Sequence, residues 1–274
     1  MNHHDLNIGM IGGGNMACAL VRGLLRGGHP ARLISIAEPD ARRRELVAAI
    51  DPDLVIDANN TPVAQNAAVL VLAVKPQILP EVALALASQR RPARQLVMSV
   101  AAGVTLRSLA GWLGAATPLV RVMPNQPATI GAGVSALAAS ASVDTNGRQL
   151  AGYIAGTTGR ALWLPDEALM DAVTAVSGSG PAYFYLLMEH MERAATDLGL
   201  PPELAAALTR ETARFLAVYE QYKLAKDVTR RRLFLETMEQ VLSQSNKVVI
   251  EQGQNGSGVV PYLPLPAIQP KPAN

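Results

Sequence analysis

Along the first half of the chain, apolar residues come in short runs divided by glycine, proline and polar clusters. Leu6–Ile11 is one such run and Leu33–Ala37 a second. Ala67–Val74 is apolar at every position, as a parallel strand covered on both faces requires. Gln95–Gly103 repeats the scheme, Leu119–Asn125 gives another strand, and Gly133–Ala138 with Arg160–Leu164 would complete a sheet. Between the first two runs, Asn15–Arg26 fits a helix that stops at Gly27-Gly28. From Asp166 the spacing turns helical. Glu167–Val176 and Pro181–Leu198 fit helices, the second closed by Gly199, and Pro201-Pro202 opens another running through Leu208. The pattern predicts an α/β fold, a doubly wound and mostly parallel sheet followed by a helical domain. The expected divisions are residues 1–165 for the sheet, 166–210 for the start of the helical domain and 211–274 for a tail.

Composition narrows the function without naming it. Of 274 residues, 49% are hydrophobic and 17% charged, which describes an ordinary folded protein. A net charge of +2 gives no argument for nucleic acid or for a membrane surface. No run approaches the ~20 apolar residues of a membrane span, and Met1–Asp5 is too polar to begin a secretory signal. Cys18 is the single cysteine, which excludes an intrachain disulfide and suits a reducing compartment. The expectation is a cytoplasmic protein, with Cys18 a small buried residue of the first helix. His3 and His4 are terminal and are given no metal role.

The turn after the first strand carries the clearest chemistry. Gly12-Gly-Gly-Asn-Met-Ala17 spells Gly-x-Gly-x-x-Ala between a strand and a helix. The first glycine permits the tight turn, the second lets the backbone approach a pyrophosphate, and Ala17 lets helix pack on strand. This is a Rossmann-type dinucleotide signature. Glu38 ends the second strand about twenty residues on, where an acid accepts the ribose hydroxyls and favours NAD over NADP. Arg42, Arg43 and Arg44 follow; one could face a 2′-phosphate, or all three could be the solvated face of the next helix. Lys75 ends the third strand, either at the cofactor or simply in solvent. Ala101, Ala102 and Gly103 are small enough for a flat ring to lie against the backbone, and Asn125 ends a later strand.

In the second half, Ser177-Gly-Ser-Gly180 precedes Pro181 and a long apolar run. These residues could expose backbone N–H groups at a helix N-terminus and draw an anion. They could equally form a tight helix–helix joint that needs small residues. The helix from Pro181 to Glu192 holds no lysine to protonate an alkoxide, so the sequence suits reduction of an imine better than of a ketone. No catalytic acid or base is assigned.

Several of these stretches together resemble one family. Gly9–Ala17, Ala73-Val-Lys-Pro76, Ala101-Ala-Gly-Val104, Arg121-Val-Met-Pro-Asn125 and Asp171–Tyr183 are similar to pyrroline-5-carboxylate reductase, over residues 5 to about 208. The resemblance implies reduction of 1-pyrroline-5-carboxylate to L-proline by NADPH or NADH, with an imino acid substrate and a homodimer or larger assembly. It implies that Ile11, Gly12, Gly13, Gly14, Asn15 and Met16 hold the pyrophosphate, and that Asn60, Val74, Lys75 and Ala101 contact the cofactor. Glu38 and Asn125 are counted with them. Glu38 stands where relatives often carry a residue suited to NADPH. Ser177, Gly178, Ser179 and Gly180 would hold the substrate, and Glu167 matches an acid near the bound product.

From about residue 211 the text departs. The family continues to a Ser-Pro-Gly-Gly-Thr-Thr turn that helps bind the carboxylate and imine nitrogen, and this chain has none. The helical domain is therefore expected to be incomplete or substituted. Ala213–Lys223 and Val228–Leu242 are instead similar to the C-terminal segment of HflK, a prohibitin-like protease regulator. Asp227 would cap a helix to about Gln244, and the proline-rich end would be disordered. The alternative function is a fusion product that binds NAD(P) without catalysis, its tail acting only in protein association.

Overall fold

The computed structural model describes residues 5–89 and 94–212. The expectations for the tail, including the HflK resemblance and the Asp227 helix, lie outside the described residues. The chain divides into two compact units, Met1–Leu186 and Leu187–Asn274.

The first unit is built on an eight-stranded sheet ordered β3-β2-β1-β4-β5-β6-β7-β8. Its strands are β1 Ile8–Ile11, β2 Ile34–Ala37, β3 Val55–Asp57, β4 Val69–Leu72, β5 Leu96–Ser99, β6 Leu119–Met123, β7 Gly133–Ala139 and β8 Gly159–Trp163. All pairings are parallel except β6 with β7. The order reverses between β1 and β4, which leaves a crevice at the carboxyl ends of those strands. The doubly wound expectation holds.

Helices cover both faces. They are α1 Asn15–Arg26, α2 Ala41–Ala48, α3 Asn60–Asn66, α4 Leu79–Ala87, α5 Leu106–Leu113 and α6 Thr145–Gly156. Strand alternation sorts the core into two layers. Val69 and Val71 join Met10, Leu24, Ile36 and Ile154 on one face, whereas Leu70 and Leu72 join Val63, Leu79 and Leu109 on the other. Every residue of β4 is fully buried, so each contributes to packing on its own side. At ~1.5–3 kcal/mol per large buried side chain, this double layer is the main force holding the strand ends in place.

Strand β3 and helices α3 to α6 were not among the expected elements. β3 is a three-residue edge strand whose Val55 is half exposed, so it shows neither an apolar run nor a clean alternation. α6 contains Gly147, Gly152 and Gly156, which weaken its helical signal. Asp144 compensates at its N-cap, where the carboxylate accepts the Gly147 N–H at 2.7 Å.

The stretch after β8 differs from its expected form. In place of one helix over Glu167–Val176, there is a 3-10 turn at Glu167–Leu169, a single turn α7 at Met170–Val173, and a π-helical turn at Thr174–Gly178. The first compact unit therefore extends past residue 165. Met170 is buried against Ala136 and Ala138 of β7, which ties the segment to the sheet. Helix α8 follows at Gly180–Asp197, closed as expected at Gly199, whose φ of +98° suits only glycine. Residues 202–212 are helical. Among the described residues no helix is long and apolar enough to cross a membrane.

Candidate active site

The β1–α1 turn forms a cradle. Gly12 donates its N–H to the Ala37 carbonyl at 2.8 Å and has φ +99°. A Cβ there would stand 2.9 Å from the Ala73 carbonyl oxygen, so a side chain would both strain the turn and collide with β4's end. Helix α1 begins at Asn15 with no side-chain cap at Gly14 and no acid in its first turn. Its first N–H groups remain free for an anion, and the helix dipole favours one. The arrangement fits a dinucleotide pyrophosphate.

Glu38 lies beside this turn and is buried. Its Oε2 accepts the Gly13 N–H at 2.7 Å and its Oε1 accepts the Asp40 N–H at 3.1 Å. Arg44 donates from Nη1 to the Glu38 and Pro39 carbonyls at 2.9 and 2.7 Å, which ties it to the strand end. Asp40 caps α2 through the Arg43 N–H at 2.9 Å and so fixes where Arg43 starts.

These elements border a cavity of about 860 Å³ at the carboxyl ends of β1, β2, β4 and β5. Of the residues expected at the cofactor, Gly12, Gly14, Asn15, Met16, Glu38, Asn60, Val74, Lys75 and Ala101 line it. The size and small-residue floor at Ala101 and Ala102 suit a nicotinamide dinucleotide. Pro39, Ala58, Asn59, Ile78 and Val82 also line it and were not foreseen. Nothing in their types marks them; they arrive because the turns after β2 and β3 and the start of α4 converge there. A second cavity, about 580 Å³, opens at the amino ends of the strands beside Leu6, Leu96 and Asp144 and brings none of the expected residues together.

Other expected residues are placed elsewhere. Ile11 is buried in β1, and Gly13 faces Glu38, with neither among the lining residues. Asn125 accepts the Val134 N–H through Oδ1 at 2.9 Å and donates from Nδ2 to Ser177 Oγ at 3.3 Å. Glu167 Oε1 accepts from Arg121 Nη1 at 3.0 Å and from the Leu106 N–H at 2.8 Å. Arg121, Met123 and Asn125 alternate onto one side of β6 and its continuation, spaced ~7 Å apart. Glu167 meets the first, Gly178 the second and Ser177 the third.

That register corrects the expectation of free N–H groups at Ser177–Gly180. The stretch is not an open helix N-terminus but a π turn in which Ser179 donates its N–H to the Thr174 carbonyl at 2.9 Å. Gly178 is required by packing, since a Cβ there would lie 2.6 Å from the Met123 methyl. Pro181 has no N–H to return to Ser177, which removes one bond of the regular helix and admits the wider turn. Small size is needed at Gly178, though against a side chain of β6 rather than against a second helix as expected.

Cys18 is half-buried rather than buried, with its thiol 3.6 Å from the Gly13 carbonyl. Burial pushes its pKa up, an effect that the neighbouring Arg22 partly offsets.

Comparison with known proteins agrees with this geometry. Residues 167–232 match the pyrroline-5-carboxylate reductase dimerisation family, and residues 7–103 match the family of coenzyme F420-dependent NADP oxidoreductases. The first match reaches beyond residue 208, where the sequence resemblance was expected to end. The pyrroline-5-carboxylate reductase of Pseudomonas aeruginosa is 48% identical over 209 residues, which is 75% of each chain. The solved structure of the Coxiella burnetii enzyme superposes with a TM-score of 0.72 at 34% identity, covering 87% of this chain and 90% of that one. A Plasmodium falciparum pyrroline carboxylate reductase with NADP bound shares the fold, with a TM-score of 0.70 at 23% identity over 88% and 92% of the two chains. With the cradle, the switch-point crevice and these likenesses together, the chain belongs to the pyrroline-5-carboxylate reductase family.

Proposed function

We propose that this protein reduces 1-pyrroline-5-carboxylate to L-proline with NAD(P)H. The observation that carries the reading is the glycine cradle and its cavity at the sheet's switch point, in a chain so similar to reductases of this name. When bound, the nicotinamide supplies a hydride to the imine carbon while the ring nitrogen gains a proton, giving the secondary amine. The chain's part is to hold and orient. Gly12, Gly14, Asn15 and Met16 would hold the pyrophosphate, and Asn60, Val74, Lys75 and Ala101 would flank the rest of the cofactor.

Ser177 to Gly180 would border the substrate. The Val134 N–H fixes Asn125 Oδ1 as the acceptor, so the Asn125 amide nitrogen must point at Ser177 Oγ. Ser177 Oγ then accepts from Asn125, and its own proton remains for a carboxylate or an amine nitrogen. The substrate is a small imino acid, and the assembly is a homodimer or larger. Helix α8 supports this, because none of its residues is buried and Tyr183, Phe184, Tyr185, Leu186 and Leu187 are exposed. The single cysteine suits a reducing compartment, and we place the reaction in the cytoplasm.

The test is proline formation from pyrroline-5-carboxylate by the purified full chain with each cofactor. Turnover with either supports the reading. Binding of NAD(P)H without turnover overturns its catalytic half and favours the nucleotide-binding fusion.

A further inference from the structure

The cofactor cavity holds a carboxylate that cannot move aside. Both oxygens of Glu38 are bonded to backbone N–H groups, from Gly13 at 2.7 Å and Asp40 at 3.1 Å. Gly13 also packs directly on its stem, since a Cβ at Gly13 would lie 3.2 Å from both Cβ and Cγ of Glu38. Swinging the side chain out would leave the Gly13 N–H without its acceptor in a buried place. Each oxygen still has a lone pair, so the group can accept a ribose hydroxyl where it stands. It cannot accept a phosphate, which offers no proton and carries the same sign of charge in a poorly screened site.

The three arginines that follow do not offset this. Arg44 is tied through Nη1 to the Glu38 and Pro39 carbonyls and is not among the cavity's lining residues. Arg42 is exposed and is not among the cavity's lining residues. Arg43 does line the cavity, but its Nη1 stands 3.7 Å from the point where a Gly14 Cβ would be, over the glycine turn and the start of α1. That is where a pyrophosphate belongs. We propose that Glu38, locked by Gly13 and Asp40, selects NADH over NADPH, and that Arg43 serves the pyrophosphate shared by both. The assignment rests on reading the chain as an NAD(P)H-dependent reductase.

The experiment is a titration of the full chain with NADH and with NADPH, following nicotinamide fluorescence or heat, for the wild type and for Glu38→Gln, Glu38→Ser and Arg43→Ala. The wild type is expected to bind NADH at least about tenfold more tightly than NADPH, one such factor being the effect of a single well-placed group. Glu38→Ser should bring the ratio to about one or below. Glu38→Gln keeps a carbonyl acceptor for the loop but no charge, so it should shift the ratio the same way even if the serine variant folds poorly. Arg43→Ala should weaken both cofactors by a similar factor and leave the ratio unchanged. Equal or NADPH-favouring binding by the wild type overturns the proposal, as does an unchanged ratio in Glu38→Gln. Loss of NADPH binding alone in Arg43→Ala overturns the role given to that arginine. NADH-selective binding without proline formation would sink the reductase reading and uphold the assignment of Glu38, whereas binding of neither cofactor overturns both.

Discussion

Removing Glu167 separates a folding role from a substrate role. Its carboxylate is the acceptor for the Arg121 guanidinium at 3.0 Å and for the Leu106 N–H at 2.8 Å, so one oxygen joins β6, the start of α5 and the turn before α7. Arg121 is 4% exposed, and the other acid near it is Asp171, 3.7 Å away with a side chain 93% exposed. Glu167→Ala would strand a buried cation. Breaking a buried pair from one side costs about 3–5 kcal/mol, and an unpaired N–H adds about 1 kcal/mol. The Glu167 side chain is a quarter exposed, so water refills part of the gap and about 2–4 kcal/mol is the expected net loss. For a unit of this size, that lowers Tm by roughly 5–12 °C in a thermal melt followed by circular dichroism. Glu167→Gln keeps an acceptor for Leu106 and should fall by less. The double variant Arg121→Met with Glu167→Leu should recover at least half of the loss, because no charge remains to be stranded. Folded Glu167→Gln should show an unchanged KM for pyrroline-5-carboxylate. A tenfold rise in KM with Tm unmoved would refute this reasoning and return Glu167 to the substrate, where the family resemblance puts it.

Other consequences of the geometry are open to measurement. Gly12→Ala should weaken NADH binding at least about tenfold, because its Cβ meets the Ala73 carbonyl and the φ of +99° costs an alanine ~1–3 kcal/mol; fluorescence titration checks it. Asn125→Ala should lower kcat with little change in cofactor affinity and destabilise by about 1–3 kcal/mol, since the Val134 N–H and Ser177 hydroxyl both lose a partner. Cys18 should alkylate more slowly than free cysteine at pH 8, because burial raises its pKa and depletes the thiolate; mass spectrometry of iodoacetamide-treated protein shows the rate rising with pH. Phe184→Asp on the exposed face of α8 should reduce the molar mass in light scattering without lowering the affinity for NADH.

What the sequence discloses about the sheet follows from burial. β4 is enclosed on both sides, and such a strand has no choice but to be apolar at each position, so Ala67–Val74 announces it. Helix α1 was legible to the residue because a glycine turn precedes it and two glycines follow. β3 lies at the sheet's edge and pairs on one side with β2, so three mixed residues suffice and nothing in them speaks of a strand. The cofactor cradle was legible for the same reason as α1: backbone approach and positive φ admit few residue types, and Gly12 bears both demands.

Side chains that work through partners distant in sequence were not legible. Nothing local marks Glu38 as bonded to the Gly13 amide rather than poised in solvent, nor distinguishes Arg44, tied to two carbonyls, from Arg43 beside it. The stretch Ser177–Gly180 shows the same limit from the other side. Small residues there satisfied two physical demands at once, a free helix terminus or a close approach, and local text could not choose between them. Met123 chooses: its methyl occupies the space a side chain at residue 178 would need, while Pro181 withdraws a helix bond and leaves a widened turn. Ser177 lies within that widened turn, and its hydroxyl meets Asn125. The direction of the Ser177 hydroxyl is set by an amide on β6's continuation. The place of Ser177 depends on the packing of α7 against the sheet, and disturbing Met170 or Met123 should move it without touching it.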